Sequence, residues 1–319
     1  MPIKTALIIG SGVAGPLAAL SLHAHNITPH IFESRSSPST IGGAINLSPN
    51  AVRILSNHNL LPRLLAHGCS VQSLEISSAH SGKRLGTITF GDVQKYGFDS
   101  LRVLRSELQA VLLAALEEKG IRVTYDRKLV GVREEETAVT AVFEDGTTAT
   151  GDILIGADGI RSAVRRSYVD PAAKATYTGV SSAYGVVDFA ALGIDNLHFL
   201  TTGLSSSRKG SFLMSFCNAE KTRIFWAVIM GVAEDKVPDR TAGWKAKEQQ
   251  ETKRGIVERF SECQALGGVM EKAVMNTPEV CFYPINQLPL GGRWWRGRCV
   301  LIGDAAHAVS NPPCSHVPC

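Results

Sequence analysis

An apolar run followed at once by closely spaced glycines is the feature of this sequence that most limits its fold. Residues Thr5 to Ile9 are apolar and favour a strand, and Gly10 to Gly15 read Gly-Ser-Gly-Val-Ala-Gly. Pro16 then stands in the first turn of an apolar-periodic segment that ends near Ala24. Proline is tolerated there because the first N–H groups of a helix have no partner inside it. The pattern predicts a strand, a tight turn and a helix in direct succession.

The three glycines of this turn have separate roles in a dinucleotide-binding unit. Gly10 permits the tight exit from the strand, Gly12 lets the backbone approach a pyrophosphate, and Gly15 lets helix and strand pack closely. A second apolar strand, residues 30–32, ends at Glu33, whose carboxylate can accept hydrogen bonds from an adenosine ribose. A glycine-rich turn without a ligand is the competing interpretation. The strand, helix and acidic residue around the turn favour the dinucleotide site.

Four later segments bear on which dinucleotide is bound. Residues 156–162 read Gly-Ala-Asp-Gly-Ile-Arg-Ser after an apolar strand at 152–155, and residues 303–307 read Gly-Asp-Ala-Ala-His after another at 299–302. Residues 101–108, Leu-Arg-Val-Leu-Arg-Ser-Glu-Leu, are predicted to open a helix. Residues 42–51 begin with two glycines that let the backbone pass close to a flat ring, and Asn50 is a candidate N-cap for a helix over residues 51–57.

Together with the N-terminal turn, these segments resemble the signature set of the flavin-dependent aromatic hydroxylases, the para-hydroxybenzoate hydroxylase-like family. The resemblance covers nearly the whole chain, up to about Pro313. It implies an α/β fold with a Rossmann-like, glutathione-reductase-like FAD-binding domain and an inserted, largely antiparallel β-sheet substrate domain. The implied FAD-binding domain comprises residues 1–70, 100–178 and 288–319, and the substrate domain comprises residues 71–99 and 179–287.

The resemblance also implies cofactor contacts for individual residues. Asp304 resembles the aspartate that hydrogen-bonds the FAD ribityl chain, and Arg105 resembles an arginine near the pyrophosphate. Asp158 and Gly159 resemble a pair associated with both FAD and NAD(P)H, and Ala44 matches a position beside the flavin. The expected cofactor-binding set is Gly10, Gly12, Gly15, Glu33, Arg35, Gly43, Ala44, Arg105, Asp158, Gly159 and Asp304.

Without the resemblance, plainer interpretations hold for three of these motifs. Asp304 would be a helix N-cap, which is compatible with the cofactor role. Arg105 would be a solvated charge at a helix start. The Asp158–Gly159 pair would be a turn.

The chemistry implied by the resemblance is monooxygenation in secondary metabolism. NADPH or NADH reduces FAD, and O2 then forms a flavin C4a-hydroperoxide that hydroxylates or epoxidises a small organic substrate. The protein supplies binding, positioning and exclusion of water, so we expect no metal and no nucleophile triad. His307 is expected to support the flavin site structurally. A reductase of the same fold is an alternative. The paired-tryptophan signature of flavin halogenases is missing from this sequence. The pair Trp294–Trp295 is instead expected to pack against a strand.

The segment from 179 to 288 has the residue pattern of a β-sheet. Alternation predicts strands at 182–188, 211–218 and 222–230, followed by a charged helix at 241–262, and residues 81–83 suggest a hairpin. Tyr184 is the expected catalytic-site residue, as a polar contact that positions the substrate. Further pocket candidates are Phe212, Met214, Phe225 and Trp226, although alternation alone turns half of such residues into the core.

Composition excludes some partners. The formal net charge is only +4 and no run of basic residues exists, so nucleic acid is not an expected partner. The seven cysteines form neither a disulfide framework nor a CxxC pair, which favours a reducing, cytoplasmic location. No apolar segment reaches membrane length. The expected partners are a small-molecule substrate, O2 and NAD(P)H.

After Pro312-Pro313 the sequence departs from the family pattern. The family continues with a GGQG-like segment that opens a helix facing the flavin, whereas residues 314–319 here read Cys-Ser-His-Val-Pro-Cys. Three explanations remain open: a truncated or mis-spliced chain, a fragment of a longer enzyme, or a functional short form. The second function class, beside an active monooxygenase, is therefore a catalytically impaired or non-catalytic remnant of such an enzyme. Cys314, His316 and Cys319 suggest a metal site but lack a fourth ligand.

Overall fold

The computed structural model describes residues 2–38, 42–197, 199–237, 246–263, 265 and 267–308. The chain divides into two compact units: residues up to 41, 108–178 and 286–310 form the first, and residues 42–107 and 179–285 belong to the second. Residues 42–70 and 100–107, which we expected with the FAD-binding domain, are thus grouped with the second unit. The functional domain boundaries stay a prediction.

The strands are β1 (Thr5–Ile9), β2 (Thr28–Phe32), β3 (Ala44–Leu47), β4 (Cys69–Val71), β5 (Ser73–Ser78), β6 (Arg84–Thr89), β7 (Ser100–Leu104), β8 (Val123–Thr124), β9 (Leu129–Glu134), β10 (Val139–Phe143), β11 (Thr148–Gly151), β12 (Ile153–Gly156), β13 (Thr176–Asp188), β14 (Thr202–Ser207), β15 (Gly210–Phe216), β16 (Arg223–Gly231), β17 (Cys281–Gln287), β18 (Trp295–Arg296) and β19 (Cys299–Leu301). The helices are α1 (Ala14–Ala24), α2 (Pro49–Asn57), α3 (Leu61–His67), α4 (Val93–Tyr96), α5 (Arg105–Glu118), α6 (Ala246–Arg259), α7 (Gly267–Asn276) and α8 (Asp304–His307). Short 3-10 turns lie at Phe189–Leu192 and Glu234–Lys236, and a π-helical turn lies at Arg165–Val169.

The first unit is built on a six-stranded sheet in the order β18-β19-β12-β1-β2-β8. Strands β19, β12, β1, β2 and β8 run parallel, and β18 adds an antiparallel edge. Strand β1 lies in the centre and is almost wholly buried, as expected for a strand covered on both faces. One face packs against the antiparallel sheet β11-β10-β9 through Leu7, Leu154, Leu301, Val139 and Phe143.

The order of these strands creates a topological switch point beside β1. From β1 the chain continues to β2 and β8 on one side, while β12 and β19 lie on the other side. Loops that leave neighbouring parallel strands in opposite directions open a crevice at the carboxyl ends, where α/β folds bind their ligands. The predicted succession of strand, tight turn and helix is confirmed, since β1 ends at Ile9 and α1 begins at Ala14.

The second unit contains a seven-stranded sheet in the order β17-β13-β16-β15-β14-β5-β6. Strands β13 and β16, β16 and β15, β15 and β14, and β5 and β6 pair antiparallel, whereas β14 and β5 pair parallel. The expected largely antiparallel substrate sheet is thus confirmed. One face carries Phe212, Trp226 and Val228, which are buried against Ile256 of α6 and Met270 of α7. A second, three-stranded sheet has the order β3-β7-β4.

Two local expectations were wrong. Residues 101–108 do not all open a helix, because Leu101 to Leu104 belong to β7, which is buried along its length and pairs with both β3 and β4. Tertiary pairing therefore overrides the helical pattern until Arg105. Asn50 is not an N-cap, because α2 begins one residue earlier with Pro49 at its first position and Ser48 before it. Proline favours that first position through its fixed φ.

Within the residues that the structure describes, no helix is both long and apolar enough to span a membrane. The described cysteines, at positions 69, 217, 263, 281 and 299, form no disulfide with one another.

A buried hydrogen-bond chain ties the seven-stranded sheet to its helices. The Trp226 Nε1–H donates to Thr277 Oγ1 at 2.7 Å, and the Thr277 hydroxyl donates to the Ala273 carbonyl at 2.7 Å. The buried Lys253 ammonium donates to the Thr277 carbonyl at 2.6 Å. Since all of these groups are buried, the threonine hydroxyl satisfies an indole N–H that has no access to water.

Replacing Thr277 by valine is expected to destabilise the protein by about 1–3 kcal/mol, because the buried Trp226 N–H loses its acceptor while side-chain volume is kept. The matched control, Thr277→Ser, keeps the hydroxyl and is expected to lose less. Thermal unfolding followed by tryptophan fluorescence measures both variants. Equal stability of the valine variant and the wild type would contradict this role.

Candidate functional site

The turn after β1 is held by both neighbouring strands. The Gly10 N–H donates to the Phe32 carbonyl at 2.8 Å, and the Ala157 N–H donates to the Ile9 carbonyl at 2.8 Å. Gly10 has a φ of 106°, and a Cβ there would lie 2.5 Å from the Ala157 carbonyl oxygen. Glycine is therefore required at this position both by backbone conformation and by space.

The far end of the turn is equally tight. A Cβ on Gly15 would overlap the Gly10 carbonyl oxygen and press on Ile8, so only glycine allows this approach of α1 to β1. The buried Gln109 amide donates to the Ser11 carbonyl at 2.8 Å and fixes the middle of the turn, beside the half-buried Gly12. Sequence reasoning missed Gln109, and its only signal was a polar residue among the apolar positions of α5.

The N-terminus of α1 lacks a protein cap. Val13 offers no side-chain hydrogen bond, and the first turn contains no acidic residue. The first N–H groups of an α-helix have no partner within the helix and carry a partial positive charge. An uncapped N-terminus at the carboxyl edge of a parallel sheet is the usual place for a pyrophosphate.

Glu33 follows β2 at the same edge and is contacted from both sides. Its Oε2 accepts from the Ser11 N–H at 2.8 Å and from the Ser11 hydroxyl at 3.0 Å. Its Oε1 accepts from the Ser34 hydroxyl at 3.1 Å and the Arg35 N–H at 3.0 Å. Burial raises the pKa of Glu33, but these hydrogen bonds outweigh it and bring the pKa below its ordinary value. The group is therefore a carboxylate at neutral pH.

These contacts suit a ribose. Two of the four donors to Glu33 are serine hydroxyls, which rotate about their C–O bonds and can be replaced by sugar hydroxyls, while the two backbone N–H groups stay in place. The Arg35 side chain is exposed, and its contact to a cofactor stays a prediction.

Asp158 follows β12 and faces inward. Its Oδ2 accepts from the backbone N–H groups of Ala163 at 2.6 Å and Val164 at 3.2 Å. Burial raises the pKa of this carboxyl, and the hydrogen bonds offset that effect only in part. The Gly159 carbonyl accepts from the Ser162 N–H at 2.9 Å. The Asp158–Gly159 pair thus shapes the turn beside Ala157, and its contact to a cofactor stays a prediction.

Asp304 begins α8 after β19 and is exposed, so its carboxylate is available to a ligand. Gly303, the residue before it, lies against α1, since a Cβ there would meet the Ala14 Cβ at 3.2 Å. The buried Arg165 guanidinium holds α8 by donating to the Ala305 carbonyl at 2.8 Å, and it also donates to the Ile160 carbonyl. The sequence alone did not indicate this role of Arg165.

The second unit holds the remaining expected residues. The Arg105 N–H donates to the Gly43 carbonyl at 3.0 Å, and the Arg105 side chain is exposed. A Cβ on Gly43 would lie 2.8 Å from the Phe225 ring and 3.2 Å from Tyr184. Ala44 packs in the same cluster as Tyr184 and Phe225. Gly43, Ala44, Arg105 and Tyr184 therefore come together within this unit.

The other pocket candidates divide between the two faces of the seven-stranded sheet. Phe212, Met214 and Trp226 are buried on the helix-covered face, where Phe212 stacks on Trp226 with ring centroids 5.9 Å apart. Tyr184 and Phe225 lie on the opposite face, with centroids also 5.9 Å apart. Phe212 and Met214 also line a cavity of about 400 Å³. Which face of the sheet receives the substrate stays a prediction.

The last expected residues lie near the end of the described chain and in the tail beyond it. The ring centroid of His307 lies 5.3 Å from that of Trp294. Trp294 and Trp295 are both exposed, so the expected packing of this pair against a strand was wrong. Cys314, His316 and Cys319 lie outside the described residues. Within the described ranges, no group of three His, Cys, Asp or Glu side chains is placed to hold a metal ion.

The residues of the first unit fit the adenosine and pyrophosphate part of FAD. Three features lie at one sheet edge: a turn in which a Cβ on Gly10 or Gly15 would overlap the backbone, a helix N-terminus without a side-chain cap, and a carboxylate approached by rotatable hydroxyls. Asp304 adds an exposed acceptor that leaves from β19 at the same edge and suits a polyol chain.

Gly15→Ala is expected to cost about 1–3 kcal/mol of stability and to lower the FAD retained on purification, because the new methyl group overlaps the Gly10 carbonyl. Gly131→Ala in β9 is the matched control, since its Cβ would meet nothing within 4 Å. Thermal unfolding and flavin absorbance per chain measure the two effects. A Gly15→Ala protein that behaves like Gly131→Ala would contradict the tight turn.

Glu33→Gln is expected to destabilise the protein at neutral pH, and the difference from the wild type should shrink on acidification. A carboxylate whose pKa is lowered by folding contributes stability above its ordinary value of 4.5 and loses it as the pH falls through the lowered pKa. Thermal midpoints from neutral pH to below 4.5 test this, with exposed Glu117→Gln on α5 as the control. A difference that is constant or grows at low pH would show the opposite shift.

Comparison with known proteins shows the family of the chain. A family model described as an FAD binding domain matches residues 4–313. The 6-hydroxynicotinate 3-monooxygenase of Bordetella bronchiseptica is 28% identical over 307 residues, which cover 95% of this chain and 76% of that protein. The 3-amino-4-hydroxybenzoate 2-monooxygenase of Streptomyces cremeus is also 28% identical, covering 94% of this chain and 71% of that protein.

Solved structures show the same fold. Klebsiella pneumoniae HpxO, crystallised with FAD and uric acid, superposes with a TM-score of 0.80 at 21% identity. The superposed region covers 96% of this chain and 74% of the HpxO chain. The 2,6-dihydroxypyridine-3-hydroxylase from Arthrobacter nicotinovorans has a TM-score of 0.76 at 21% identity and covers 96% of this chain and 78% of its own. Since the family model matches nearly the whole chain, the protein belongs to the aromatic-ring-hydroxylase type of FAD-dependent monooxygenases, which are oxidoreductases with FAD as cofactor.

Proposed function

We propose that this protein uses NAD(P)H and O2 to hydroxylate or epoxidise a small organic substrate. One oxygen atom enters the substrate and the other leaves as water, while NAD(P)H is oxidised and a proton is consumed. The observation that carries the proposal is the edge of the parallel sheet, where the uncapped N-terminus of α1 and the carboxylates of Glu33 and Asp304 match an FAD-type dinucleotide. Bound FAD supplies the redox chemistry.

The proposed roles follow the chemistry of each group. Gly10, Gly12 and Gly15 let the pyrophosphate approach the backbone, Glu33 accepts from the ribose, and Asp304 accepts from the ribityl hydroxyls. Arg105 supplies positive charge for the pyrophosphate. The full proposed cofactor-binding set is Gly10, Gly12, Gly15, Glu33, Arg35, Gly43, Ala44, Arg105, Asp158, Gly159 and Asp304.

Tyr184 is the proposed substrate-positioning residue. Its ring centroid lies 5.6 Å from that of Tyr283 and 5.9 Å from that of Phe225, on the face of the seven-stranded sheet against which Gly43 and Ala44 pack. Aromatic walls favour a flat ring over a flexible chain, and a phenol hydroxyl can orient that ring by one hydrogen bond. The names of the relatives, which act on hydroxynicotinate and aminohydroxybenzoate, support a small aromatic substrate.

A cytoplasmic location and a role in secondary metabolism are part of the same proposal. The free cysteines support a reducing compartment. The rates of NADPH and NADH oxidation by the purified chain decide which nucleotide it uses.

The experiment is turnover by the purified full chain. Flavin absorbance is expected in the purified protein, and NADPH or NADH oxidation is expected to accelerate when 6-hydroxynicotinate, 3-amino-4-hydroxybenzoate or uric acid is added in air. Mass spectrometry should then find one added oxygen atom. A colourless chain that takes up no FAD would reject the enzyme and favour the non-catalytic remnant. Substrate conversion that persists without O2 would favour a reductase.

A substitution tests whether FAD binding depends on Asp304. Asp304→Ala is expected to weaken FAD binding by at least about tenfold, the effect of losing a hydrogen bond to a charged group, without lowering the thermal midpoint of the FAD-free protein. Exposed Glu117→Ala on α5 is the control and should bind FAD like the wild type. Unchanged FAD affinity in Asp304→Ala would remove Asp304 from the proposed set.

A further inference from the structure

A cavity of about 400 Å³ lies inside the second unit, on the face of the seven-stranded sheet that packs against helices α6 and α7. Phe212 and Met214 of β15 line it from the sheet, and Val269 and Met270 of α7 line it from the helix. Sites for small ligands occupy roughly 300–1,000 Å³, so the cavity is large enough to hold one. Tyr184 lies on the opposite face of the sheet and takes no part in this lining.

The walls of the cavity are fixed by backbone contacts and tight packing. The hairpin of β5 and β6 is joined to β14, because the Ala79 N–H donates to the Ser206 carbonyl at 2.9 Å. The Ala265 N–H, before α7, donates to the Ala79 carbonyl at 3.2 Å. Phe199 packs directly on β14, since a Cβ on Gly203 would overlap its ring. The space is therefore preformed, as is usual for a ligand site.

The apolar lining favours a flat aromatic ligand. Phe212 stacks on Trp226 with ring centroids 5.9 Å apart, and Phe199 adds a second aromatic wall. Met214 and Met270 contribute polarizable thioethers, which make favourable contacts with aromatic rings. An apolar cavity of about 150 Å³ already holds benzene, so one of about 400 Å³ has space for two fused rings.

Two serine hydroxyls are the uncharged polar side-chain groups of the lining. The Oγ atoms of Ser77 in β5 and Ser205 in β14 are 3.3 Å apart, longer than the usual distance of about 2.5–3.0 Å between hydroxyl oxygens. Within the described part of the chain this is the one hydrogen bond of either hydroxyl, so one of the two protons lacks an acceptor. A ligand hydroxyl beside the pair can accept from one serine and donate to the other.

The charged residues of the lining carry one charge of each sign. Glu75 and Arg84 border both this cavity and an adjoining one that reaches exposed Leu200. The Glu75 carboxylate accepts from the Leu200 N–H at 3.2 Å, and the Arg84 guanidinium donates to the Thr87 hydroxyl at 2.5 Å. The two charges balance, so the lining offers no net charge to compensate a buried ion. The electrostatics therefore favour a neutral ligand.

We propose that this cavity is a second small-molecule site, which binds a neutral, flat, fused-ring aromatic molecule through one hydroxyl group beside Ser77 and Ser205. The inference goes beyond the proposed function, because the site lies on the other face of the sheet from Tyr184 and needs no cofactor.

Calorimetric titration of the full chain with 2-naphthol, naphthalene and 2-naphthoate tests the site. We expect 2-naphthol to bind at least about fivefold more tightly than naphthalene, the effect of a net gain of hydrogen bonds, and more tightly than the anionic 2-naphthoate. Val269→Trp fills the cavity and should weaken 2-naphthol binding at least about tenfold, because the indole displaces buried ligand surface. Met275→Trp, at an exposed position of the same helix, is the matched control and should bind like the wild type.

A second variant tests recognition while the cavity stays open. Ser77→Ala combined with Ser205→Ala should lower the affinity for 2-naphthol to that for naphthalene and leave naphthalene binding unchanged. Thermal midpoints show whether each variant folds, and 2-naphthol should raise the midpoint of the wild type and of Met275→Trp but not that of Val269→Trp. The double variant decides should Val269→Trp fail to fold.

Several results would overturn the proposal. They are a wild type that does not bind 2-naphthol, a Val269→Trp variant that binds it unchanged, and a serine double variant that still prefers it over naphthalene. Binding that is lost in Tyr184→Ala but kept in Val269→Trp would place the probe on the Tyr184 face instead. Tighter binding of 2-naphthoate would indicate an anion site at Arg84. The titration uses neither FAD nor NAD(P)H, so its result is independent of the proposed monooxygenase activity.

Discussion

The parallel pairing of β1 with β12 on one side and β2 on the other is the constraint on which the site of the first unit depends. Ile9 pairs with Gly156 and with Phe32, so the three strands end at one level. The loops that follow must share a narrow edge, and Gly10 lies against both of them. The glycine-rich turn is therefore a consequence of strand register, and the uncapped helix beyond it follows from the same packing.

Two buried arginines show how differently the same side chain is used. Arg165 donates to the carbonyls of Ile160, Ala173 and Ala305, and thereby links the segment that follows Asp158 to α8. Carbonyl oxygens satisfy its donors, so it stabilises the framework without any ligand. Arg102 has no such set of acceptors, and its buried Nε has no hydrogen-bond partner among the residues that the structure describes.

The fold of the first unit was predictable because its turn has a steric requirement that is visible in the residues themselves. Glycines at positions 10 and 15 are needed for space, and the acidic end of β2 follows from the βαβ pattern. Contacts that depend on distant segments were not predictable. The start of α5 at Arg105 is decided by the pairing of β7 with β3 and β4, and Gln109 reaches the turn only in the folded chain.

The same limit holds for the substrate sheet. Alternation correctly predicted that neighbouring residues of a strand point to opposite faces, but it could not decide which face receives helices α6 and α7. Phe212 and Trp226 lie on that covered face, whereas Tyr184 and Phe225 lie on the other. The choice is made by long-range packing, for which a single strand carries no local signal.

In the proposed role of Glu33 as the ribose acceptor, its four donors also bear on how selectively a nucleotide is captured. Because the carboxylate is already fixed by the Ser11 and Arg35 N–H groups, it has little rotamer freedom left to lose when a sugar arrives. The entropic cost of association then falls mainly on the incoming ribose and on two serine hydroxyl rotors. A carboxylate fixed in this way discriminates by shape from the first encounter. A nucleotide whose ribose hydroxyls are absent or phosphorylated meets a rigid acceptor that cannot adapt to it.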